Sequence, residues 1–494
     1  MKETTKIRRI VVMGKITKNY IYNILFQMIT LFAPLFVSPF LTRVLGAEQL
    51  GVYSFVTSSA NVIVTIGLLG TYNYGCQQVA YYRDDELKCS DVYRQIYSFR
   101  LILGIVISVA YFVVTTFEVD YRKYFIIYYT WVLSMIVDPS WFFVGQEEMK
   151  ATALKNSAIK IITIVLIFAF VRNEMGLITY VGIMGGTALL CNLLLYSQLR
   201  NYHVSHRVTT ENIKNHLKGS LALFWPQVAS LFYLQVDKIM LRYLSGDISN
   251  VSYYDYGEKI VTIPLTIITT LSTVMMPRIA NEYAKNNHES VRNLLIKAGG
   301  FSLILAMPMM VGMAVCANKL IPWYLGDAYS PSILVIILLS PLILTNSLAG
   351  ISGNQYLVAT NQTNLLLKAY VSAAVCNVII NAATIPFFGC RGAAVATIIS
   401  STISVIIQYY YMHKQVGVKE YLMYGIRYFV YSIPVGIVAF VIGLGRDATP
   451  VVSLLQVIGG GAVYGIILLA TKDRYAGMIL GKAKSLMHKR IKRK

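Results

Sequence analysis

Three charged side chains interrupt one of the most apolar stretches of the chain. In LFYLQVDKIMLRYL, residues 231–244, Asp237 and Lys238 are adjacent and Arg242 follows about one helical turn later. A charged group in the hydrocarbon core of a bilayer is costly unless it faces protein or water. Groups of this kind can bind an ion, exchange partners or take up a proton, so the stretch predicts a functional site within a membrane.

Further charges fall inside apolar segments at two depths. Lys160 and Lys259 each lie about eight residues, roughly 12 Å, into a predicted helix, too deep for a lysine to reach the headgroups by snorkelling. Nearer the inner ends, snorkelling is an adequate alternative for Arg100, Lys155, Lys368 and Arg427. The remaining members of the two levels are Asp138 in the inner half and Arg43, Asp237, Lys238, Arg242, Asp255 and Glu258 in the outer half. Two levels of cations predict a path for an anion between the leaflets.

A structural interpretation of the same residues is an interhelical ion pair. Asp237 and Lys259 lie at similar depth on consecutive antiparallel helices. A salt bridge between them is therefore an alternative to a binding site, although a pair that breaks and reforms is also a way to gate a cavity.

Composition identifies the elements that must position these residues. Of 494 residues, 56% are hydrophobic and 14% are charged, and the mean hydropathy is +0.57, whereas soluble domains have about 25% charged residues. We predict an all-α polytopic membrane protein of about fourteen transmembrane helices. They begin near residues 20, 50, 99, 124, 152, 177, 219, 251, 298, 330, 363, 391, 421 and 451.

Lysine and arginine in the connections predict the orientation. With a cytoplasmic N-terminus, the inner connections hold 29 basic residues and the outer connections hold 7. This bias accounts for the net charge of +21 and excludes nucleic acid as a partner. The tail KAKSLMHKRIKRK is predicted to lie at anionic headgroups on the cytoplasmic side.

The sequence carries no pattern that predicts catalysis or metal binding. The six cysteines have no CxxC spacing, and the six histidines lie in or beside predicted cytoplasmic connections. No HExxH, phosphate-binding loop or nucleophile elbow is present. We therefore predict no catalytic residue, no metal site and no cofactor, and a protein that is not an enzyme.

A weak internal repeat predicts two lobes. LTRVLGAEQLGVYSF, residues 41–55, and LRYLSGDISNVSYYDYG, residues 241–257, each join two predicted spans and lie six spans apart. Six is an even number, so the halves insert in the same orientation, related by a pseudo-two-fold axis along the membrane normal. The predicted organisation is an N-terminal six-helix lobe, a C-terminal six-helix lobe, two additional helices and a basic tail, at residues 1–200, 201–415, 416–471 and 472–494.

Four stretches carry a resemblance to a known family. PLFVSPFLTRVLGAEQLGVYSF, FWPQVASLFYLQVDKIMLRYL, VSYYDYGEKIVTIPLTIITTLSTVMMPRIANEY and LSPLILTNSLAGISGNQYLVATNQT resemble the polysaccharide flippases of the multidrug/oligosaccharidyl-lipid/polysaccharide exporter superfamily. In the last stretch, Gly353, Gln355 and Tyr356 match a recurring Gly-x-Gln-Tyr. One departure follows, because Asn361 and Gln362 stand where the family usually has a basic residue.

The resemblance implies a function. The substrate would be a polyprenyl-diphosphate-linked oligosaccharide, a repeat unit of O-antigen, capsule or exopolysaccharide, moved by alternating access from the cytoplasmic to the outer face of a bacterial inner membrane. Coupling to H⁺ or Na⁺ is expected. Both termini would be cytoplasmic, and the partners would be membrane lipids, a polysaccharide polymerase and chain-length machinery.

Candidate site residues follow from charge, depth and this substrate. Cations replace the lost hydration of a buried diphosphate, carboxylates exchange partners or bind a coupling ion, and polar or aromatic groups contact sugar. The predicted diphosphate contacts are Lys160, Lys259, Lys368, Lys155 and Arg43. The predicted gating or ion-coupling residues are Asp237, Glu258, Lys238 and Asp138. The predicted sugar contacts are Asn23, Gln27, Tyr72 and Asn73.

Two other functions stay open. A drug/cation antiporter of the same superfamily would need an acidic cavity, whereas the deep charges here are mostly basic. A membrane glycosyltransferase or O-antigen ligase would need a sizeable loop or domain for its donor, whereas the predicted outer connections are short.

Overall fold

The computed structural model describes residues 29, 32–172, 176–201, 209–413, 417 and 419–478, and within them every regular element is helical. In unit 1, Met1–Ile239, the helices are α1 (Phe32–Val44), α2 (Gly46–Gly67), α3 (Thr71–Tyr81), α4 (Glu86–Phe117), α5 (Arg122–Ile136), α6 (Ser140–Gly145), α7 (Met149–Phe170), α8 (Gly176–Tyr196) and most of α9 (Thr210–Leu244). Unit 2, Met240–Lys494, contains α10 (Ser249–Ala284), α11 (His288–Tyr324), α12 (Pro331–Leu339), α13 (Leu342–Ala349), a π-helix (Gly350–Val358), α14 (Thr363–Phe388), α15 (Cys390–His413), α16 (Lys419–Gly443) and α17 (Pro450–Ala470).

The helices confirm the predicted fold class. Ten segments of the described chain are long and apolar enough to cross a membrane, and α12, α13 and the π-helix together form one of them. The four remaining predicted spans correspond to α1, α5, α9 and α10. Of these helices, α1 and α5 are short in the described residues, and α9 and α10 are rich in polar groups. A multi-pass membrane protein of about fourteen spans therefore agrees with the structure.

Aromatic side chains fill the interior of unit 1. Tyr53 of α2 packs against Tyr180 of α8 with ring centroids 4.5 Å apart, and its edge meets Tyr128 of α5. The buried hydroxyl of Tyr111 donates to the carbonyl of Phe125 at 2.8 Å. A phenol in an apolar environment needs such a partner, so these bonds fix the relative rotation of α4 and α5.

The second predicted span is broken near its end, between α2 and α3. Leu69 and Gly70 both adopt left-handed backbone angles between α2 and α3. Gly70 also lies against α9, where an added Cβ atom would be 2.9 Å from the carbonyl oxygen of Ser220. Glycine is required here both for its φ of 74° and for the close approach of the two backbones.

A polar cluster ties α9 to the first helices of its unit. His216 is buried, and its two ring nitrogens form hydrogen bonds with Tyr74 Oη at 3.0 Å and Gln95 Oε1 at 2.9 Å. These bonds join α9 to α3 and to α4, and they satisfy the ring within the fold.

Small residues lie on the buried faces of α14 and α15. The buried face of α14 includes Ala369 and Ala373, and the buried face of α15 includes Gly392 and Ala396. Small side chains let two helix backbones approach closely inside a membrane.

Some predictions concern residues outside the described ranges. These are Asn23, Gln27, the basic N-terminus and the basic tail beyond residue 478. The division of the chain at Ile239 falls within α9, and the predicted lobe boundaries stay a prediction.

Candidate functional site

The fourth predicted span breaks at Asp138-Pro139, between α5 and α6. A helix end inside a bilayer exposes carbonyl groups that need donors, since lipid provides none. Asn192 of α8 donates to the carbonyl of Ser134 at 2.7 Å, and Arg100 of α4 donates to the carbonyl of Met135 at 2.7 Å. Both donors therefore complete the last turn of α5.

Arg100 joins the two broken spans of unit 1. Its second terminal nitrogen donates to Thr71 Oγ1 at 3.0 Å, at the first residue of α3. The side chain is 1% exposed, so the snorkelling interpretation of Arg100 is wrong. We name the group formed by Thr71, Arg100, Met135, Asp138 and Ser140 the unit-1 junction.

Asp138 lies two residues before the start of α6 and contributes a negative charge to the unit-1 junction. Its two carboxylate oxygens accept from the backbone N–H and the hydroxyl of Ser140, each at 2.8 Å. The residue is 8% exposed and lies close enough to Arg100 to stabilise its charge. The predicted gating residue therefore also has a structural role, because it caps the helix after the break.

Tyr72 and Asn73 lie beside the unit-1 junction on the exposed side of α3. The phenol of Tyr72 interacts with Ser140, Asp138 and Arg100. The structure thus brings two of the predicted sugar contacts next to a predicted gating residue, and it leaves both side chains accessible.

The charged run of α9 is mostly buried. Asp237 is 1% exposed and Lys238 is 8% exposed, whereas Arg242 is partly exposed. All three have polar, ionic or ring contacts with other groups. Burial of adjacent opposite charges in a span agrees with the expectation that they face protein rather than lipid.

Lys259 forms its ion pair within its own helix. Its Nζ atom lies 2.6 Å from Asp255 Oδ2, one turn earlier in α10, and 4.5 Å from the ring centroid of Tyr256. The Asp255 side chain is 5% exposed and that of Lys259 is 45% exposed. The structure pairs Lys259 with Asp255, one helical turn away in the same helix. The predicted pairing of Lys259 with Asp237 stays a prediction. Glu258, also predicted to gate, is partly exposed and has interactions of its own.

The other predicted diphosphate contacts have different surroundings. Lys155 donates to the carbonyl of Leu194 at 3.1 Å, in the last turn of α8, a common role for lysine at a helix C-terminus. Arg43 is exposed and donates to the carbonyl of Pro39 at 2.8 Å. Lys160 is partly buried on α7 and Lys368 is exposed on α14. Within the described part of the chain, neither Lys160 nor Lys368 forms an ion pair.

The Gly-x-Gln-Tyr motif lies in the π-helix that ends the tenth predicted span. Ser352 Oγ donates to Gln408 Oε1 at 2.8 Å, and an added Cβ atom on Gly353 would be 3.0 Å from that oxygen. Gln355 and Tyr356 are each 1% exposed. The motif therefore fixes the packing of the π-helix against α15, and π-helices of this kind are often found at functional sites.

An X-Pro pair lies within one predicted span of each unit. Asp138-Pro139 interrupts the fourth predicted span, and Ser340-Pro341 separates α12 from α13 in the tenth, six spans later, with both Ser340 and Pro341 in helical backbone angles. Interrupted helices in corresponding positions of two halves are typical of substrate sites in transporters. Of these four residues only Asp138 is among the predicted site residues, although the two X-Pro positions in the sequence indicate the pair.

One family model and several curated proteins match this chain. The model described as a polysaccharide biosynthesis protein matches residues 16–283. A putative O-antigen transporter of Escherichia coli is 22% identical over 76% of this chain and 92% of its own length. A probable low-salt glycan biosynthesis flippase of Haloferax volcanii, Agl15, is 24% identical over 49% of this chain and 54% of its own length.

Solved structures share the fold. A lipid II flippase, MurJ, in an inward closed conformation superposes with a TM-score of 0.69, covering 92% of this chain and 99% of that chain at 18% identity. An inward-facing multidrug resistance transporter of the MATE family superposes with a TM-score of 0.59, covering 81% of this chain and 95% of that chain at 13% identity. At these identities the likeness concerns the fold.

Proposed function

Because the chain belongs to the polysaccharide biosynthesis protein family, we propose that it is a flippase for polyprenyl-diphosphate-linked oligosaccharide, working by alternating access. The main support is the match to an O-antigen transporter over 92% of that protein's length. Relatives with transporter and flippase names also agree with the prediction that the chain is not an enzyme. The repeat unit of O-antigen, capsule or exopolysaccharide is the proposed glycan class.

The proposed headgroup contacts are cations within the spans. Lys160 and Lys259 are the deepest predicted cations, and Arg43 and Lys155 extend the set toward the membrane surfaces. A diphosphate that leaves water needs several charge-assisted hydrogen bonds, and lysine and arginine provide them. Lys368 belongs to the same predicted set, and its surroundings favour the different ligand described below.

Asp237, Lys238, Glu258 and Asp138 are the proposed gating and ion-coupling residues. Asp237 and Lys238 are buried in α9, and Asp138 lies at a helix break. A carboxylate in such a place can change its partner when it binds H⁺ or Na⁺, and a change of partner shifts the balance between two conformations. We propose no cofactor beyond the coupling ion.

The sugar would meet polar and aromatic groups next to the unit-1 junction. Tyr72 and Asn73 are exposed there, and Asn23 and Gln27 complete the proposed set. An aromatic ring with a hydroxyl offers both an apolar face and a hydrogen bond, which suits a sugar ring.

The proposed location is the bacterial cytoplasmic membrane, with both termini on the cytoplasmic side. The distribution of basic residues supports this orientation, since cytoplasmic connections are enriched in lysine and arginine. A polysaccharide polymerase and the chain-length machinery are the proposed protein partners, because they would use the translocated repeat unit.

A reconstituted flipping assay tests this function. The purified chain is placed in vesicles that contain a fluorescent polyprenyl-diphosphate-linked oligosaccharide, and the accessible fraction is followed with and without a H⁺ or Na⁺ gradient. We expect protein-dependent flipping that Lys160→Gln and Lys259→Gln reduce at least about tenfold, the effect of one lost charge-assisted bond. Lys285→Gln, at an exposed position outside the predicted spans, is the matched control.

Other outcomes favour the remaining functions. Gradient-driven uptake of a lipophilic cation without flipping of the glycolipid would identify an antiporter. A new glycosidic product from a glycolipid donor and an acceptor would identify a transferase or ligase.

A further inference from the structure

An open groove with one charged end lies between α14 and α15. Its volume is about 660 Å³, and its walls include Leu367, Val371 and Ile406. Lys368 and Tyr410 also line it. The groove thus combines an apolar wall with a cation and a phenol.

Lys368 and Tyr410 lie toward the same end of the groove. Lys368 is five residues, about 8 Å, from the start of α14 at Thr363, and Tyr410 is three residues, about 5 Å, from the end of α15 at His413. The two helices are antiparallel neighbours, so both positions lie near the same membrane surface. The charge distribution predicts that this surface is cytoplasmic.

Lys368 lies on the face of α14 that carries exposed apolar residues. Val371, Val375 and Ile379 are 47%, 53% and 63% exposed. The opposite face is buried and contains Ala369 and Ala373. In a membrane, an exposed stripe of branched aliphatic side chains contacts acyl chains.

We propose that this groove binds one anionic glycerophospholipid of the leaflet predicted to be cytoplasmic. The phosphate would accept hydrogen bonds from Lys368 Nζ and from the hydroxyl of Tyr410, and an acyl chain would lie along Val371 and Ile406. Basic pockets between helices at this membrane surface bind anionic headgroups. Lys368 is the only cation among the described residues that line the groove, and one cation matches a single phosphodiester better than a diphosphate.

A second groove, whose described lining has no charged residue, provides a comparison for the effect of Lys368. The groove between α4 and α5 has a similar volume of about 630 Å³, but its described lining is aliphatic, aromatic or hydroxyl, as at Ile105, Ser108 and Phe112. Such a groove offers no counter-charge and should not distinguish lipid headgroups. It serves as an internal comparison for the α14–α15 groove.

Lipid retention by the purified chain tests the proposal. Native mass spectrometry would count lipids retained after exchange into micelles doped with phosphatidylglycerol or with phosphatidylcholine. We expect one phosphatidylglycerol in excess over phosphatidylcholine, and a loss of about tenfold in its affinity in Lys368→Gln. Lys368→Arg should keep the lipid, and Ile406→Trp, which fills the apolar wall without changing charge, should weaken its binding.

The matched control is Lys419→Gln, which removes one exposed charge at the start of α16, near the same predicted surface. If Lys419→Gln lowers retention as much as Lys368→Gln, the lipid is held by bulk charge and the proposal is wrong. If neither variant changes retention, Lys368 does not bind the headgroup and the proposal is also wrong. Displacement of the lipid by undecaprenyl diphosphate at equal concentration would also overturn it and assign the groove to the transported lipid. The assay contains no oligosaccharide, so its result is independent of the flipping experiment.

Discussion

At the scale of single residues, the charged side chains in the spans differ in the kind of group that they contact. Arg100 and Lys155 donate to backbone carbonyls at helix ends, whereas Lys259 pairs with a carboxylate of its own helix. The first two therefore stabilise interrupted backbone, and the third holds a cation at the surface of α10. A basic side chain therefore stabilises the backbone in one place and is available for binding in another.

Arg100 is expected to be the most important charged residue for the stability of unit 1. Arg100→Gln would remove the guanidinium donor of the Met135 carbonyl and the positive charge near Asp138, at a cost of about 2–4 kcal/mol in the free energy of unfolding. Denaturant titration of the purified protein measures this cost. Arg94→Gln, on the exposed side of the same helix, should change stability by less than about 0.5 kcal/mol. Equal effects of the two substitutions would contradict the role given to Arg100.

Asp255 and Lys259 are expected to differ in their effects on transport. Asp255→Asn keeps the cation and removes the carboxylate that restrains it, so flipping should stay within about twofold of the wild-type rate. Lys259→Gln removes the proposed diphosphate contact, so flipping should fall about tenfold or more. The flipping assay in vesicles compares the two rates. Loss of flipping in Asp255→Asn together with normal flipping in Lys259→Gln would show that the carboxylate is the functional group.

At the scale of elements, interruptions determine where polar groups can gather inside the membrane. The second, fourth and tenth predicted spans are each interrupted, and the fourth and tenth breaks both contain an X-Pro pair. A broken helix requires donors and acceptors from its neighbours. These requirements explain why buried polar residues such as Arg100, Asn192 and Gln408 lie near breaks or the π-helix.

Gly70 offers a test of the break between α2 and α3. Gly70→Ala places a Cβ atom 2.9 Å from the Ser220 carbonyl at a φ of 74°, whereas Gly246→Ala has a φ of 73° and open space around the Cβ position. The shared positive φ should cost about 1 kcal/mol in each variant. We expect a further loss of about 1–3 kcal/mol for Gly70→Ala, from overpacking against α9. Thermal unfolding of both variants measures the difference, and equal stabilities would rule out the close helix contact.

At the scale of the whole molecule, the chain is a multi-pass membrane protein, and each of its two units contains a predicted span with an X-Pro pair. The charge bias of the connections, 29 basic residues against 7, predicts its orientation. Orientation matters for function because a flippase must receive its substrate at the face where the substrate is made.

Cysteine labelling tests the orientation directly. In a cysteine-free background, Glu289→Cys in the first turn of α11 should react with an impermeant maleimide only after the inner membrane is permeabilised. Asp447→Cys between α16 and α17 should react in intact spheroplasts. Both positions are exposed, so labelling reports the side of the membrane rather than burial. The reverse pattern would invert the predicted topology.

The sequence by itself determined the membrane class, the approximate number and positions of the spans, and the family resemblance. These properties depend on local composition, because about 20 apolar residues are sufficient to predict a span whatever surrounds them. The Gly-x-Gln-Tyr motif and the depth of Asp237 were likewise readable from residue order.

Only the tertiary structure decided which partner each charged residue has and which face it occupies. Arg100 is buried between two broken helices. Lys155 donates a hydrogen bond to a carbonyl in the last turn of α8, and Lys259 forms an ion pair with Asp255. Lys368 lies on the exposed apolar face of α14. Residue order fixes the depth of a side chain along its helix, but the rotation of that helix and the breaks of its neighbours depend on packing between distant segments.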